Sequence, residues 1–157
     1  MQVKLDVMTM AATTLFAGAV SAQELIVKIG HVAPTSGWMA PVGYDHERSA
    51  RMAIDELNAK GTTIGGNKVK FELLAEDDAA DPKKGIAVAQ KLVDAKVNGV
   101  IGHLTSGTSI PASKVYSDAG IPQISPSSTN PQFTRNGYKT TFRVLADDTQ
   151  LGGALGR

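Results

Sequence analysis

The chain has 157 residues, 42% of them hydrophobic and 5% aromatic, which suits one domain with a buried core. A formal net charge of +1, with no run of basic residues, gives no footing for a nucleic-acid partner. The absence of cysteine excludes a disulfide framework and a thiolate metal site.

The first segment reads as a targeting sequence rather than as part of a fold. Lys4 is followed by an apolar stretch from Val7 to Val20, and Val20-Ser21-Ala22 fits a cleavage site. Asp6 offsets the charge of Lys4, and the stretch is too short to span a membrane. Residues 1–22 are therefore expected to be a signal peptide cut after Ala22, with residues 23–157 exported beyond the cytoplasmic membrane.

Strand-like and helical runs then alternate. Residues 24–33 alternate Leu25, Val27 and Ile29 against Ile26 and Lys28, as a strand does. A loop at 34–43 leads to a helix over 44–60, with Ala50, Ala53, Ile54 and Leu57 on one stripe and Gly61 available as a C-terminal cap. Residues 62–68 read as a turn and 69–78 as the second strand. Asp81-Pro82 starts a second helix, N-cap then proline, running to about Asp94 with Ile86, Ala89 and Val93 on one side. Residues 97–104 form an apolar third strand, 108–120 a short helix, and 121–128 a fourth strand. A loop at 131–137, a fifth strand at 138–148 and a new helix after Asp147-Asp148 complete the chain, which stops at Arg157 without a closing strand.

This alternation implies an α/β fold, a doubly wound parallel sheet with helices on both faces. In such sheets a ligand sits beyond the carboxyl ends of the strands, here the loops at 34–43, 77–82, 105–109 and 125–131.

Each loop has a competing chemistry. Gly102 to Ser109 spells G-x-x-x-x-G-T-S, close to a phosphate loop, but Thr108 stands where the phosphate-binding lysine would be. What survives is a helix N-terminus, whose unpaired N–H groups attract an anion and suit a carboxylate as well as a phosphate. Glu76, Asp77, Asp78 and Asp81 lack the alternating ligands and glycine of a calcium loop and read as capping and solvated carboxylates. His31, His46 and His103 show no metal-ligand spacing; His31 and His103, at strand ends, read as hydrogen-bonded structural residues. Neither G-x-S-x-G nor G-x-G-x-x-G occurs, so the hydrolase and dinucleotide templates fail. The expectation is a binding protein with no catalytic residue, no metal and no cofactor. Trp38 is a loop aromatic that either faces a ligand or packs on its own loop. Ser125, Ser127, Ser128 and Thr129 crowd one turn, and Ser106, Gly107 and Thr108 crowd the turn beside it. Two such turns can hold one small zwitterion, hydroxyl and N–H groups taking the carboxylate and a carbonyl the ammonium.

Several segments resemble the periplasmic branched-chain amino-acid binding proteins of ABC importers. They are "IGHVAPTSG", "MAIDELNAKG", "DDAADPKKGIAVAQKLVD", "VIGHLTSGTSIPASKVYSDAGIPQISPSSTNPQFT" and "TTFRVLADDTQLGGALG". The resemblance implies the incomplete N-terminal lobe of a type I, two-lobed binding protein, whose partners are an amino acid and a membrane permease. It implies that Ser106 hydrogen-bonds the ligand carboxylate, that the Ser127 carbonyl takes the ammonium, and that Thr129 binds through hydroxyl and N–H. Gly107, Thr108, Ser128 and Trp38 are secondary candidates. It also implies that the first lobe is completed by chain returning from the second. A ligand-sensing or amide-binding receptor of the same fold is the alternative. Where some members join two loops by a disulfide, this chain has Ala80 and Thr105, so those loops must be held by hydrogen bonds.

Overall fold

The computed structural model describes residues 24–156. The expected signal peptide lies outside them. Six strands form one sheet, which we number in chain order: β1 (Leu25–Ala33), β2 (Thr63–Ile64), β3 (Asn67–Asp77), β4 (Gly99–Gly102), β5 (Gln123–Ser125) and β6 (Thr141–Arg143). Their spatial order is β2-β3-β1-β4-β5-β6, every pairing parallel except the short antiparallel β2–β3 contact. The expected parallel α/β sheet is therefore present, with one addition. The segment read as a turn at 62–68 contributes a two-residue hairpin strand at the sheet edge.

The helices are α1 (Ala40–Ala59), α2 (Pro82–Asp94), α3 (Ser106–Asp118), α4 (Gln132–Arg135) and α5 (Asp148–Leu155). A 3-10 turn at Gly37–Met39 runs into α1, so the first helix starts earlier than its stripe indicates. The loop expected at 131–137 contains the single turn of α4. α1 packs on β1 and β3, whereas α2 and α3 pack together on the opposite face. That arrangement follows from right-handed crossovers, because the chain steps from β1 to β3 on one side and to β4 on the other. The reversal of direction at β1 and β4 opens the crevice in which such sheets bind ligands.

The core lies between the sheet and the α2/α3 pair: Val32, Val88, Ala89, Leu92, Val100 and Tyr116 are all buried there. The expected α2 stripe is displaced. Ile86 is exposed and Val93 only partly buried, while Gly85, Val88, Ala89 and Leu92 face inward. Gly85 explains the shift, since a Cβ at this position would press on the Thr108 side chain at 3.1 Å. The glycine brings α2 close to α3 and so sets which residues face inward. On α1, Ala50 and Ile54 are buried as expected, whereas Ala53 and Leu57 are exposed. They border an apolar groove with Ile29, Phe71, Ile101 and Ile124, where the α1 face of the sheet is left bare. Ile124 and Phe142 are likewise exposed on β5 and β6.

Candidate functional site

The carboxyl ends of the strands carry the expected loops, and two side chains tie them down from below. Asp77, the last residue of β3, receives the Thr35 N–H (2.9 Å), the Ser36 hydroxyl (2.6 Å), the Ala79 N–H (2.8 Å) and Lys84 Nζ (2.7 Å). Burial opposes ionisation of Asp77, but the hydrogen bonds from Lys84, Ser36, Ala79 and Thr35 outweigh it and hold the carboxyl below the usual range. The loop after β1 is thereby fastened to the loop after β3.

Asp78 does the same for the loop after β4. It is fully buried and its Oδ2 accepts from His103 Nδ1 at 2.9 Å, while Oδ1 accepts the Ala80 N–H at 3.0 Å. This is the hydrogen-bonded link anticipated from the absence of a disulfide at Ala80 and Thr105. Burial raises the pKa of Asp78, but His103 and the Ala80 N–H outweigh that cost and keep it below the usual carboxylate value. Burial lowers His103, against the opposing pull of Asp78. The contact is therefore a hydrogen bond from a neutral imidazole to a carboxylate rather than an ion pair.

α3 begins immediately after this link. Its N-cap, Thr105, has extended backbone and no side-chain capping bond; its carbonyl accepts the N–H groups of Thr108 (3.2 Å) and Ser109 (2.9 Å). The N–H groups of Ser106 and Gly107, in the first turn, have no partner among the described residues and point out of the helix start. Ser106 is half-buried and its Oγ accepts the Asn130 N–H at 3.2 Å, which leaves its own proton free to donate. Gly107 is exposed, with nothing within 4 Å of where a Cβ would stand. Thr108 is buried, its hydroxyl on the Thr105 side chain (3.0 Å) and carbonyl (3.2 Å).

The turn after β5 lies against this helix start. The Ser127 hydroxyl donates to the Leu104 carbonyl at 2.6 Å, so its side chain binds the neighbouring turn rather than the crevice. Among the described residues no donor reaches the Ser127 carbonyl, and neither the hydroxyl nor the N–H of Thr129 has a partner. Those are the groups the resemblance assigns to a ligand. Ser128 is buried, with its hydroxyl 2.6 Å from Ser109 Oγ. Ser106, Ser127 and Thr129 are thus brought to adjoining turns, with Thr108 and Ser128 supporting them from the interior. Trp38 stands 86% exposed at the start of the first helical turn and does not pack on its own loop.

One residue that the sequence reading passed over organises this turn. Arg143, at the end of β6, donates Nη1 to the carbonyls of Ser128 (3.2 Å) and Asn130 (2.9 Å), on either side of Thr129. Its Nη2 donates to Thr134 Oγ1 (3.0 Å) and lies 3.5 Å from Asp147, with the Arg143 side chain only 7% exposed. Arginine's planar fork allows one side chain to hold both carbonyls. Arg143→Met, which keeps the apolar stem, is expected to destabilise the protein by about 1–3 kcal/mol by leaving these acceptors without their donor. Chemical denaturation of mutant and parent checks the loss.

The histidines give the lobe a pH response. Burial lowers all three, His31 to about 4, with His31 also influenced by Glu47, His46 and Arg51. His31 is buried with an unpartnered Nδ1. The unfolded chain takes up protons as pH falls below about 6.5 while the folded chain does not, so stability is full above that pH and declines below it. His31 alone accounts for about 3 kcal/mol between that pH and its folded value near 4. Urea midpoints should fall from neutral pH toward about pH 4.5 and fall less in His31→Asn; a flat profile contradicts the burial argument.

No group of three or more histidine, aspartate or glutamate side chains among the described residues is arranged to hold a metal. A sequence profile of the "Periplasmic binding protein" family matches residues 26–157. The chain belongs to this family. It is 42% identical over 148 residues to the "Leu/Ile/Val-binding protein homolog 1" of Brucella abortus, covering 94% of this chain and 38% of that one. Among solved structures it matches the branched-chain amino acid transporter substrate binding protein LivJ of Streptococcus pneumoniae, in complex with isoleucine. The TM-score is 0.71 at 33% identity, over 79% of this chain and 35% of that one. A solute binding protein of an ABC transporter from R. palustris, in complex with benzoate, matches with TM-score 0.71 at 27% identity, over 83% and 36% of the two chains. The chain spans about 38% of the length of the Brucella relative. By name, both solved relatives are substrate or solute binding proteins of transporters, the R. palustris one of an ABC transporter.

Proposed function

We propose that the intact protein is the extracytoplasmic substrate-binding component of an ABC importer, that its ligand is a branched-chain amino acid, and that it hands the ligand to a membrane permease. The supporting observation is the pairing of two turns with unspent hydrogen-bonding groups. The Ser106 hydroxyl, the N–H groups opening α3 and the Thr129 hydroxyl and N–H can all donate to a carboxylate, while the Ser127 carbonyl can accept from an ammonium. Such a ligand is neutral overall, so no lysine or arginine need reach it. The isoleucine and benzoate held by the two solved relatives share only the carboxylate, the group for which this lobe supplies most donors.

In this reading residues 1–22 are a signal peptide and Ala22 precedes the cut. Residues 23–157 are part of the N-terminal lobe, and a second lobe covers the ligand's ammonium and side chain. A separate 24–156 unit would bind weakly and expose the apolar groove beside α1. Isothermal titration of the intact protein with leucine, isoleucine, valine and benzoate is the test. Saturable heat with the aliphatic amino acids is expected; silence with all three removes the amino-acid assignment. N-terminal sequencing of the secreted protein checks the cut.

A further inference from the structure

Beneath the two ligand turns lies a chain of buried polar groups that ligand contact does not explain. Asp78, His103 and Tyr116 are each completely buried; the first two directly follow β3 and β4, and the third lies in the last turn of α3. An ionised Asp78 can only accept, so His103 Nδ1 carries the proton in their 2.9 Å hydrogen bond. His103 Nε2 is then an acceptor, and the Tyr116 hydroxyl donates to it at 3.2 Å. Every polar atom of the imidazole is used, and one tautomer is specified.

The backbone of the same residue faces the ligand turns. The His103 carbonyl accepts the hydroxyls of Ser109 (3.0 Å) and Ser125 (3.0 Å), and Ser128 Oγ lies at 3.4 Å. Ser109 belongs to the first turn of α3, where Ser106 sits. Ser125 and Ser128 begin and continue the turn that carries Ser127 and Thr129, and Ser125 Oγ in turn accepts the Ser128 N–H at 2.9 Å. One carbonyl thus joins both turns, and one imidazole, clamped at its two nitrogens, orients the residue that bears it.

We propose that Asp78, His103 and Tyr116 form a buried positioning relay that holds the two ligand turns in register through the His103 carbonyl. Its effect on affinity rests on the amino-acid-binding reading; its effect on the turns does not. The relay keeps Ser106 and Thr129 in place before the ligand arrives, which reduces the ordering cost of binding. Asp78 and Tyr116 are the titratable groups in contact with the ring, and His31 on β1, itself kept neutral by burial, is the titratable neighbour beyond them. Burial, with the Asp78 and Glu76 carboxylates nearby, pushes the Tyr116 phenol up, so it remains a donor throughout the physiological range.

The test uses the intact protein and measures amide hydrogen exchange of 103–109 and 125–130, beside amino-acid affinity. Asp78→Asn and His103→Ala are expected to quicken exchange in both turns by about tenfold and to leave α1 unchanged. His103→Asn, which restores a donor toward Asp78, should recover part of the protection, and Tyr116→Phe should show a smaller loss of the same kind. Affinity should fall in the same order. Unchanged exchange in the two turns, or an equal rise in α1, overturns the proposal. Nitrogen NMR of the parent protein gives an answer independent of variant folding. His103 should be neutral at about pH 7 with its proton on Nδ1, and should titrate below the ordinary histidine range because it is buried; an ordinary histidine titration, or a proton on Nε2, overturns the relay. If the parent protein binds no amino acid, the exchange and NMR results still decide this proposal.

Discussion

Ser106→Ala in the intact protein is expected to weaken amino-acid binding by roughly 1–3 kcal/mol, equivalent to a loss of about 5- to 150-fold. The hydroxyl has its lone pair occupied by the Asn130 N–H and its proton unspent, so the mutation removes a donor that only the ligand carboxylate would use. It also releases the one side-chain tie between the start of α3 and Asn130, and the Thr129 turn loosens with it. Thr129→Ala is expected to cost a similar amount, because its hydroxyl has no other partner among the described residues. Thr129→Ser keeps the oxygen and should recover most of the affinity. Titration calorimetry with leucine reads both effects, and an unchanged affinity in either alanine variant removes that residue from the site. Gly107→Ala separates contact from stability. It is exposed with open space around its Cβ position and gains helix propensity, so any loss of affinity there comes from the ligand itself.

The parallel sheet was legible because β1 and β4 are largely apolar runs and the helices between strands carry local signals such as the Asp81-Pro82 start of α2. Asp81-Pro82 forms the N-cap and first turn of α2 as read, the Asp81 side chain accepting the Lys84 N–H at 2.8 Å. The family-like turns were legible for the same reason, since their chemistry is spelled within a few consecutive residues. Features that depend on distant partners were not. Asp78 and His103 are 25 residues apart, and no local pattern in a loop of four acidic residues shows which one is buried under a histidine. Arg143 lies in a segment read as a strand of 138–148, of which only Thr141–Arg143 pairs. Its side chain turns back to the carbonyls of Ser128 and Asn130, so its role depends on the β5–β6 pairing and not on its neighbours in sequence. The α2 stripe failed by one position for a similar reason: Gly85 has no side chain to register in a hydrophobic pattern, yet its close approach to Thr108 sets the helix's rotation.

A glycine whose neighbour is backbone is less forgiving still. Gly43 lies buried in the first turns of α1, where the helix crosses the end of β1, and a Cβ there would collide with the Pro34 carbonyl and stand 3.2 Å from Thr35 N. Neither neighbour can rotate away as a side chain would. Pro34 is buried, and the Thr35 N–H is held by Asp77, whose carboxylate also binds Ser36 and Lys84. Gly43→Ala must therefore move α1 outward or pull the first loop from Asp77. Overpacking of this kind costs about 1–3 kcal/mol where side chains can adjust, and a backbone clash places this variant at or beyond the upper end. Helix propensity pulls the other way by at most about 1 kcal/mol, so the clash decides the sign. Denaturation should show the loss, and amide exchange should localise it to residues 34–43. Gly37→Ala is the comparison: its Cβ position is open, and only the cost of its positive φ of 72° applies. A Gly43→Ala protein as stable as the parent, with unchanged exchange in this loop, means that α1 does not rest on Pro34 and that the rim of the crevice is not set by this contact.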